Sequence, residues 1–219
     1  MELQLDPPAG VLATVIGDVV GSRTSADRRV LHRRLVAVLA SANSVLSPVV
    51  PLRITVGDEY QGCFADLGSA LHASLWLRLH LSPEADVRHG LGWGGVTVLA
   101  PEPRVEDGPG WWAAREAIEA VKLDASRAAT RRSRTAYRKA PGAAGPDPLP
   151  VNAALMCQDH LVGSVSTRSL RLLRGLLDGL SQAELAEQEG ISASAVSQRV
   201  RSDGLAVVLA ASELLKGVR

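Results

Sequence analysis

The segment VLATVIGDVVG, residues 11–21, carries the strongest structural signal in the first part of this chain. It is an apolar run rich in β-branched residues that ends at Gly21, and this pattern is typical of a buried strand. Asp18 interrupts the run near its end. A carboxylate in apolar surroundings needs hydrogen bonds or a cation, so Asp18 is the first candidate for a functional site.

The pattern downstream predicts alternating helices and strands. Thr24 or Ser25 can cap a helix in which apolar residues recur at helical spacing. Two short strands, 52–56 and 60–64, flank Gly57-Asp58, which is a hairpin signature. A helix, a strand and a third helix then follow over residues 67–81, 87–99 and 108–128. The order β-α-β-β-α-β-(β)-α fits an α+β fold with one mostly antiparallel sheet and helices on one face, as in ferredoxin-like and palm domains.

Glycines punctuate the strand predicted over residues 87–99. They occupy positions 90, 92, 94 and 95, where a β-branched residue would be more typical. Glycine inside a strand indicates a bend or a close approach of another backbone.

Composition excludes several classes of protein. The chain has 219 residues, a hydrophobic content of 46% and a formal net charge of +1. No apolar run approaches the roughly 18 residues of a membrane span, and the first residues lack the pattern of a signal peptide. Cys63 and Cys157 make no disulfide framework, and Cys63 lies in an apolar run typical of a core. We therefore expect a cytoplasmic protein with no membrane partner.

The chain divides into two predicted domains. Residues 1–139 are predicted to form the α+β domain, residues 140–150 (APGAAGPDPLP) a Pro/Gly/Ala-rich linker, and residues 151–219 an all-α domain.

The charge is unevenly distributed along the chain. Seven basic residues and one acid lie between positions 122 and 139, and this block could meet phosphate, an anionic partner or only water. A solvated arm is the default interpretation.

The C-terminal part has the spacing of a helix-turn-helix. Ser181 and Glu184 form a capping box, Gly190 ends that short helix, and Ser192 can cap the next. This second helix would then present polar residues to DNA bases and phosphates: Ser192, Ser194, Ser197, Gln198, Arg199 and Arg201. Residues 151–219 contain seven basic and seven acidic residues. This region therefore lacks the net positive charge that attracts the phosphates of DNA. Dimerisation or another protein interaction is therefore the alternative role, and Glu189 occupies a position that is usually apolar.

Asp18 and Asp58 are a candidate metal pair. The first strand and the hairpin can be sheet neighbours, so both carboxylates could meet at one edge of the sheet. Two such carboxylates resist ionising together without a cation, and their hard oxygens suit Mg²⁺ or Mn²⁺. A purely structural interpretation stays open, in which Asp58 is a turn residue and Asp18 accepts backbone hydrogen bonds.

Four segments together resemble class III nucleotide cyclases. VIGDVVG (15–21) resembles their first, metal-binding strand, and TVGDEY (55–60) resembles their second metal-binding hairpin and the signature turn of GGDEF diguanylate cyclases. VRHGLGWGGV (87–96) matches their glycine-punctuated strand, and GPGWWAAR (108–115) resembles the helix that supplies an asparagine and an arginine to the transition state. With the C-terminal helices, the whole pattern resembles the bacterial SatD family.

The resemblance implies roles for individual residues. Asp18 and Asp58 match the metal ligands, and Arg115 matches the transition-state arginine, for which Arg23 after the first strand is an alternative. Gly57, Glu59 and Trp111 are candidate nucleotide contacts by the same resemblance. Cyclases build each site from two protomers, so a homodimer is expected. Trp111 stands where cyclases carry the asparagine, Ile54 where adenylyl cyclases carry a base-reading lysine, and Val56 where the diguanylate-type turn has its first glycine.

Three functions are compatible with these features. The first is a DNA-binding transcriptional regulator whose cyclase-like domain senses a nucleotide and a metal. The second is a metal-dependent nucleotidyl cyclase or nucleotidyltransferase with an accessory helical domain. The third is a scaffold in which both sites are relics. Loss of the asparagine counterpart at Trp111 favours sensing over turnover.

Overall fold

A computed structural model of the chain describes residues 10–22, 27–102 and 104–219. The strands in this part of the chain are β1 (Gly10–Val19), β2 (Val50–Val56), β3 (Glu59–Phe64), β4 (Val87–Pro101), β5 (Arg104–Asp107) and β6 (Thr135–Lys139). The helices are α1 (Arg28–Leu46), α2 (Leu67–Leu81), α3 (Pro109–Ala125), α4 (Pro148–Val162), α5 (Thr167–Leu177), α6 (Gln182–Glu189), α7 (Ala193–Ser202) and α8 (Leu205–Lys216). Thr24 and Ser25, the predicted caps of α1, lie outside the described residues, and Asp27 caps this helix through the backbone N–H groups of Arg29 and Val30.

The sheet has the strand order of a ferredoxin-like βαββαβ unit. Strands β2, β3, β1 and β4 are neighbours in that order, and each pair is antiparallel. β5 pairs with the end of β4 as a hairpin, and β6 lies parallel to the beginning of β4. The predicted α+β class with a mostly antiparallel sheet is therefore confirmed.

The helices lie on both faces of this sheet, and the prediction of a single helical face was wrong. Ala13 and Val15 of β1 pack in the core that α1 and α2 cover. Leu12 and Ile16, which point the other way, pack in a second core beneath α3. The physical reason is visible in β1 itself, because a strand that is apolar at successive positions is buried on both faces.

The glycines of β4 let α3 approach the sheet. A Cβ atom on Gly90 would lie 2.2 Å from the Ala114 carbonyl oxygen, and one on Gly92 would lie 2.1 Å from that of Gly110. Gly94 is similarly crowded, whereas Gly95 has open space around it. The prediction of a close backbone approach is confirmed for three of the four glycines, and it fixes α3 directly over β4.

The basic block of residues 122–139 is not a solvated arm. Lys122 lies in the last turn of α3, a 3₁₀ turn covers Ala128–Thr130, and β6 follows as a strand of the sheet. Charge dominates the composition of this segment, but Ala136 and Tyr137 are buried. Two well-placed apolar side chains therefore suffice to bring a short strand into the sheet.

The C-terminal helices share a hydrophobic core with α2. Leu75 and Leu79 of α2 pack in one cluster with Leu172, Val196 and Leu205. The C-terminal end closes on α2 as well, since the Gly68 N–H donates to the Val218 carbonyl oxygen. α4 begins at Pro148, within the segment predicted as a linker. The structure therefore does not confirm a separate all-α domain.

The ends of α6 and α7 follow the predicted caps. Ser181 and Glu184 form the reciprocal capping box, Gly190 ends α6 with a φ of 62°, and Ser192 caps α7. A φ in this left-handed region favours glycine. No helix in the described ranges is long and apolar enough to span a membrane.

Candidate functional site

Asp18 and Asp58 lie at the same end of the sheet. Asp18 is the penultimate residue of β1, and Asp58 lies in the turn between β2 and β3. The Asp58 Oδ2 atom accepts a hydrogen bond of 3.2 Å from the backbone N–H of Val19, the residue that follows Asp18. The antiparallel pairing of β1 with β3 brings the turn to this position, as the order of the elements predicted.

Arg88 holds Asp18 in an ion pair across the sheet. The two residues are register partners of β1 and β4. Arg88 Nε lies 2.8 Å from Asp18 Oδ1, and Arg88 Nη2 lies 3.2 Å from Oδ2. Lys122 Nζ of α3 approaches Oδ2 to 3.5 Å. Both oxygens of Asp18 therefore have cationic partners, whereas Asp58 accepts a hydrogen bond from a backbone amide and has no cationic partner among the described residues.

Glu59 and Arg115 form a second bidentate pair beside the aspartates. Arg115 Nη1 and Nη2 each lie 2.7 Å from an oxygen of Glu59. The hydrogen bonds from Arg115 lower the pKa of Glu59, and the same pair raises the pKa of Arg115. Arg115 is half-exposed and paired with Glu59.

The other predicted site residues are placed differently. Trp111 is 7% exposed and packs in the core beneath α3, so its ring supports the helix. Its neighbour Trp112 is exposed, and its indole N–H donates to Asp107. Gly57 lies in the hairpin turn with a φ of 64°. Arg23 lies outside the described residues.

A cleft of about 480 Å³ opens between the hairpin turn and the beginning of α1. We call it the hairpin cleft. Its lining includes Asp58 and Gly57 and a set of basic side chains: Arg28, Arg29, His32 and Arg33. In the described part of the chain, Asp58 is the single acidic residue of this lining, and the three arginines have no carboxylate partner. Such a surface favours an anionic ligand, and arginine is well suited to bind phosphate.

The aspartate pair offers two of the ligands that a divalent cation needs. Carboxylate oxygens are the donors that Mg²⁺ and Mn²⁺ prefer, and Mg²⁺ usually binds through one or two carboxylates together with substrate phosphates. Among the described residues, no group of three or more His, Cys, Asp or Glu side chains could hold a metal ion. A cation bound by Asp18 and Asp58 would need further oxygen ligands, such as those of a phosphate, and Asp18 would have to exchange its contact with Arg88.

Arg88, Lys122 and the arginines at the start of α1 were missed as site residues by sequence reasoning. The signal for Arg88 was available, because Asp18 near the end of one strand and Arg88 near the beginning of an antiparallel neighbour can become a cross-strand pair. The arginines of α1 carried no such signal. Their role depends on where the hairpin turn lies in space.

The predicted DNA-contacting residues lie on and before α7. Gln198 and Arg201 are exposed, as are Ser192 and Ser194. Arg201 donates to Ser197 at 2.8 Å, and Arg199 lies 3.9 Å from Asp203.

The acidic residue at an otherwise apolar position of α6 has a physical explanation. Both oxygens of Glu189 lie 2.6 Å from the Arg171 guanidinium of α5. An ion pair thus joins α5 to α6 at a position where helix-turn-helix modules usually use packing.

Comparisons with known proteins gave one matching family model and several similar solved structures. The family model described as "SatD family" matches residues 12–216. No protein of curated function matches the chain. Among solved structures, a bacterial light-regulated adenylyl cyclase is 15% identical with a TM-score of 0.48, covering 62% of this chain and 44% of that one. The guanylyl cyclase domain of the RhoGC fusion protein from Blastocladiella emersonii is 16% identical with a TM-score of 0.44, covering 51% and 75%.

The adenylyl cyclase CyaB from P. aeruginosa is 14% identical with a TM-score of 0.38, covering 48% of this chain and 69% of that one. The match to the light-regulated cyclase covers less than half of that protein's length. At these identities and scores the likeness supports no conclusion about activity.

Proposed function

The chain belongs to the SatD family, and we propose that its α+β domain binds a nucleotide through the phosphates, together with Mg²⁺ or Mn²⁺, and catalyses metal-dependent nucleotidyl or phosphoryl transfer. The observation that carries this proposal is the hydrogen bond from Val19 N–H to Asp58, which brings the hairpin carboxylate to the end of the strand that carries Asp18. The hairpin cleft supplies positive charge for phosphates beside this pair.

Each residue has a role that follows from its position. Asp58 and Asp18 would hold the cation, which when bound would activate a hydroxyl and steady a leaving phosphate. Arg28, Arg29 and Arg33 would bind and orient the phosphates. Arg115 would neutralise developing charge once it leaves Glu59.

These groups come together within one chain. Glu59 follows Asp58 directly, and its ion pair brings Arg115 of the same chain to the hairpin. In the cyclases that this chain resembles, by contrast, one protomer supplies the aspartates of a site and the other supplies the arginine. The expected homodimer therefore stays a prediction. Sedimentation at micromolar concentration tests it, and a strictly monomeric protein that still binds nucleotide would place the whole site in one protomer.

Nucleotide binding by calorimetry tests the proposed function. ATP and GTP would be titrated into the full chain with and without Mn²⁺, and the products would be analysed chromatographically. We expect Asp58→Asn to weaken Mn²⁺-dependent binding by about tenfold or more, because it removes a charged metal ligand. Asp124→Asn is the matched control, since Asp124 pairs with Arg127 outside the site. Equal nucleotide affinity in wild type and Asp58→Asn would refute the proposal.

A second candidate function is DNA binding by α7. The exposure of Gln198 and Arg201 on a helix that follows the Gly190 turn favours it. If Arg201 contacts a base, Arg201→Ala would cost about 1–3 kcal/mol and relax specificity at one position. If it contacts only phosphate, binding would weaken evenly across sequences and the salt dependence would become shallower. Binding assays at several salt concentrations, with and without nucleotide and Mg²⁺, distinguish these results. No binding by the full chain would leave α6 and α7 as a protein-interaction surface.

A further inference from the structure

The basic block of residues 122–139 contributes to a second cleft, distinct from the hairpin cleft. This second cleft has a volume of about 320 Å³ and lies on the α3 side of the end of β1. Within the described ranges, its lining contains no acidic side chain and four basic ones, which are Arg88, Lys122, Arg131 and Arg134. Val20, Ala125 and Ser126 complete the lining. We call it the basic cleft. Residues from β4, α3 and the segment before β6 meet there, although they are far apart in sequence.

The four basic residues differ in how far their charge is neutralised. Arg88 is paired with Asp18, and Arg134 with Asp86. Lys122 lies 2.7 Å from Glu119 and 3.5 Å from Asp18. Arg131 has an exposed side chain, and no carboxylate within the described ranges pairs with it. The cleft therefore keeps at least one uncompensated positive charge.

The end of α3 does not cancel this charge. The last carbonyl groups of a helix carry partial negative charge and repel anions when they are free. Here the Leu123 carbonyl accepts from the Ser126 N–H and hydroxyl, and the Asp124 carbonyl accepts from the Arg127 N–H and the Thr130 hydroxyl. These hydrogen bonds occupy the carbonyl oxygens that would otherwise oppose an anion in the cleft.

One basic side chain of the cleft is held in place. Arg134 donates from Nη1 to the carbonyl oxygens of Arg131 and Ser133, at 2.9 and 2.7 Å, and from Nε to Asp86. A guanidinium fixed in this way loses little side-chain entropy on binding a ligand. Its contacts also tie the segment that carries Arg131 to the rim of the cleft.

We infer that the basic cleft is a binding site for an oxyanion, namely a phosphate group that is either free or carried by a larger ligand. The juxtaposition of Arg88, Lys122, Arg131 and Arg134 supplies the charge and the guanidinium donors that such a group requires. The basic cleft differs from the hairpin cleft in its lining, because neither Asp58 nor the arginines of α1 line it. The two sites are adjacent, because Asp18 pairs with both Arg88 and Lys122 of the basic cleft. An anion bound there would also share Arg88 and Lys122 with Asp18.

Calorimetric titration with inorganic pyrophosphate, in the absence of divalent cations, tests this site. We expect Arg131→Ala to weaken binding at one site by about tenfold, since it removes a charge-assisted hydrogen bond. Arg127→Ala is the matched control, because Arg127 belongs to the same segment and is more than half-exposed but pairs with Asp124 outside the cleft. Arg28→Ala should leave this site unchanged, because Arg28 lines the hairpin cleft. Arg131 is exposed, so its variant should keep the unfolding midpoint of the wild type.

Two results would overturn the inference: no pyrophosphate binding at millimolar concentration, or equal affinity in Arg131→Ala and Arg127→Ala. A parallel titration with ATP identifies the source of the phosphate. Equal affinity for ATP and pyrophosphate at the Arg131-dependent site supports a free oxyanion, and tighter ATP binding supports a larger ligand. Asp58→Asn separates this inference from the proposed function, because it should weaken Mn²⁺-dependent nucleotide binding by about tenfold or more and leave metal-free pyrophosphate binding unchanged.

Discussion

Among the arginine–aspartate pairs that join distant parts of this chain, Arg78–Asp159 and Arg88–Asp18 differ in how completely they are enclosed. Arg78 and Asp159 lie between α2 and α4, with side chains only 6% and 5% exposed. Arg88 and Asp18 lie on neighbouring strands, with side chains 21% and 13% exposed. Asp159 also accepts from the backbone N–H groups of Arg134 and Thr135, at 2.6 and 2.7 Å. The first pair is fixed by α2, α4 and the beginning of β6, whereas the second can exchange partners with water, a cation or an anion.

The difference in enclosure distinguishes an ion pair that stabilises the fold from an ion pair that can take part in ligand binding. A buried pair that loses one member leaves a charge without solvent or partner, and the cost is large. A partly exposed pair costs little to open. Partner exchange is what a ligand site requires, so the pair with weaker enclosure is the candidate for function.

The largest expected effect is on stability at the enclosed pair. Asp159→Ala should lower the free energy of unfolding by about 3–5 kcal/mol, because it leaves Arg78 with only the longer contact to Asp86 and removes the acceptor of two backbone N–H groups. Asp18→Ala should cost about 1 kcal/mol, since Arg88 can turn to solvent. Urea denaturation of both variants measures the difference. Equal losses at the two positions would remove the distinction between the pairs.

A pH effect should sharpen the same comparison. His89 is fully buried beside Arg78, with its Nε2 atom 2.7 Å from the Tyr60 hydroxyl oxygen. Burial, and secondarily the charge of Arg78, lowers the pKa of His89 from 6.5 to about 3. The unfolded chain therefore binds the proton more readily, and stability should be complete above pH 6.5 and fall as the pH drops toward 3.

Between pH 7 and pH 5 this loss should be on the order of 2 kcal/mol. His89→Gln removes the titrating group and keeps a polar partner for Tyr60. Denaturation at the two pH values should therefore show a smaller difference for the variant than for the wild type. His72, whose pKa is lowered to about 4 by burial, should account for part of the dependence that remains. An unchanged difference in the variant would exclude His89 as the source.

The smallest expected effect is on Mn²⁺ affinity at the partly exposed Arg88–Asp18 pair. Arg88→Gln removes the main competitor for the Asp18 carboxylate, so Mn²⁺ affinity should rise by about three- to tenfold, which corresponds to about 1 kcal/mol. Titration followed by the paramagnetic effect of Mn²⁺ on water relaxation measures this affinity. Arg53→Gln is the control, because Arg53 pairs with Glu106 away from the site. An affinity that falls in Arg88→Gln would mean that Arg88 positions Asp18 for the cation.

Sequence patterns predicted most of the sheet, because local signals determine its elements. The apolar run of β1, the Gly57-Asp58 turn and the glycines of β4 each carry a physical requirement that only a few structures satisfy. β6 was missed because its two buried residues lie within a basic segment, where charge outweighs the apolar signal. The packing of the C-terminal helices on α2 was also missed, since it depends on which faces of α2 find partners.

The candidate site was predictable in its carboxylates and less so in its cations. Asp18 and Asp58 stand out because each is an acid within an apolar context. Arg28, Arg29 and Arg33 look like ordinary surface residues of an amphipathic helix, and only the position of the hairpin turn gives them a common cleft. The pairing of Arg115 with Glu59 was not predicted, because helical spacing places a residue on a face of α3 but does not reveal an acidic partner from a strand.

The burial of α2 on both sides limits which sequence changes this protein can accept during evolution. Twelve of its fifteen residues are buried, and none is exposed. One side of the helix is complementary to the sheet and the other to α5, α7 and α8. A substitution in α2 therefore alters the fit to both halves, so we expect compensating changes in the sheet and in the C-terminal helices to accumulate together. A chimaera of two homologues joined after α4 should therefore be less stable than either parent, and replacing its α2 with that of the parent that supplies the C-terminal helices should restore the fit between them.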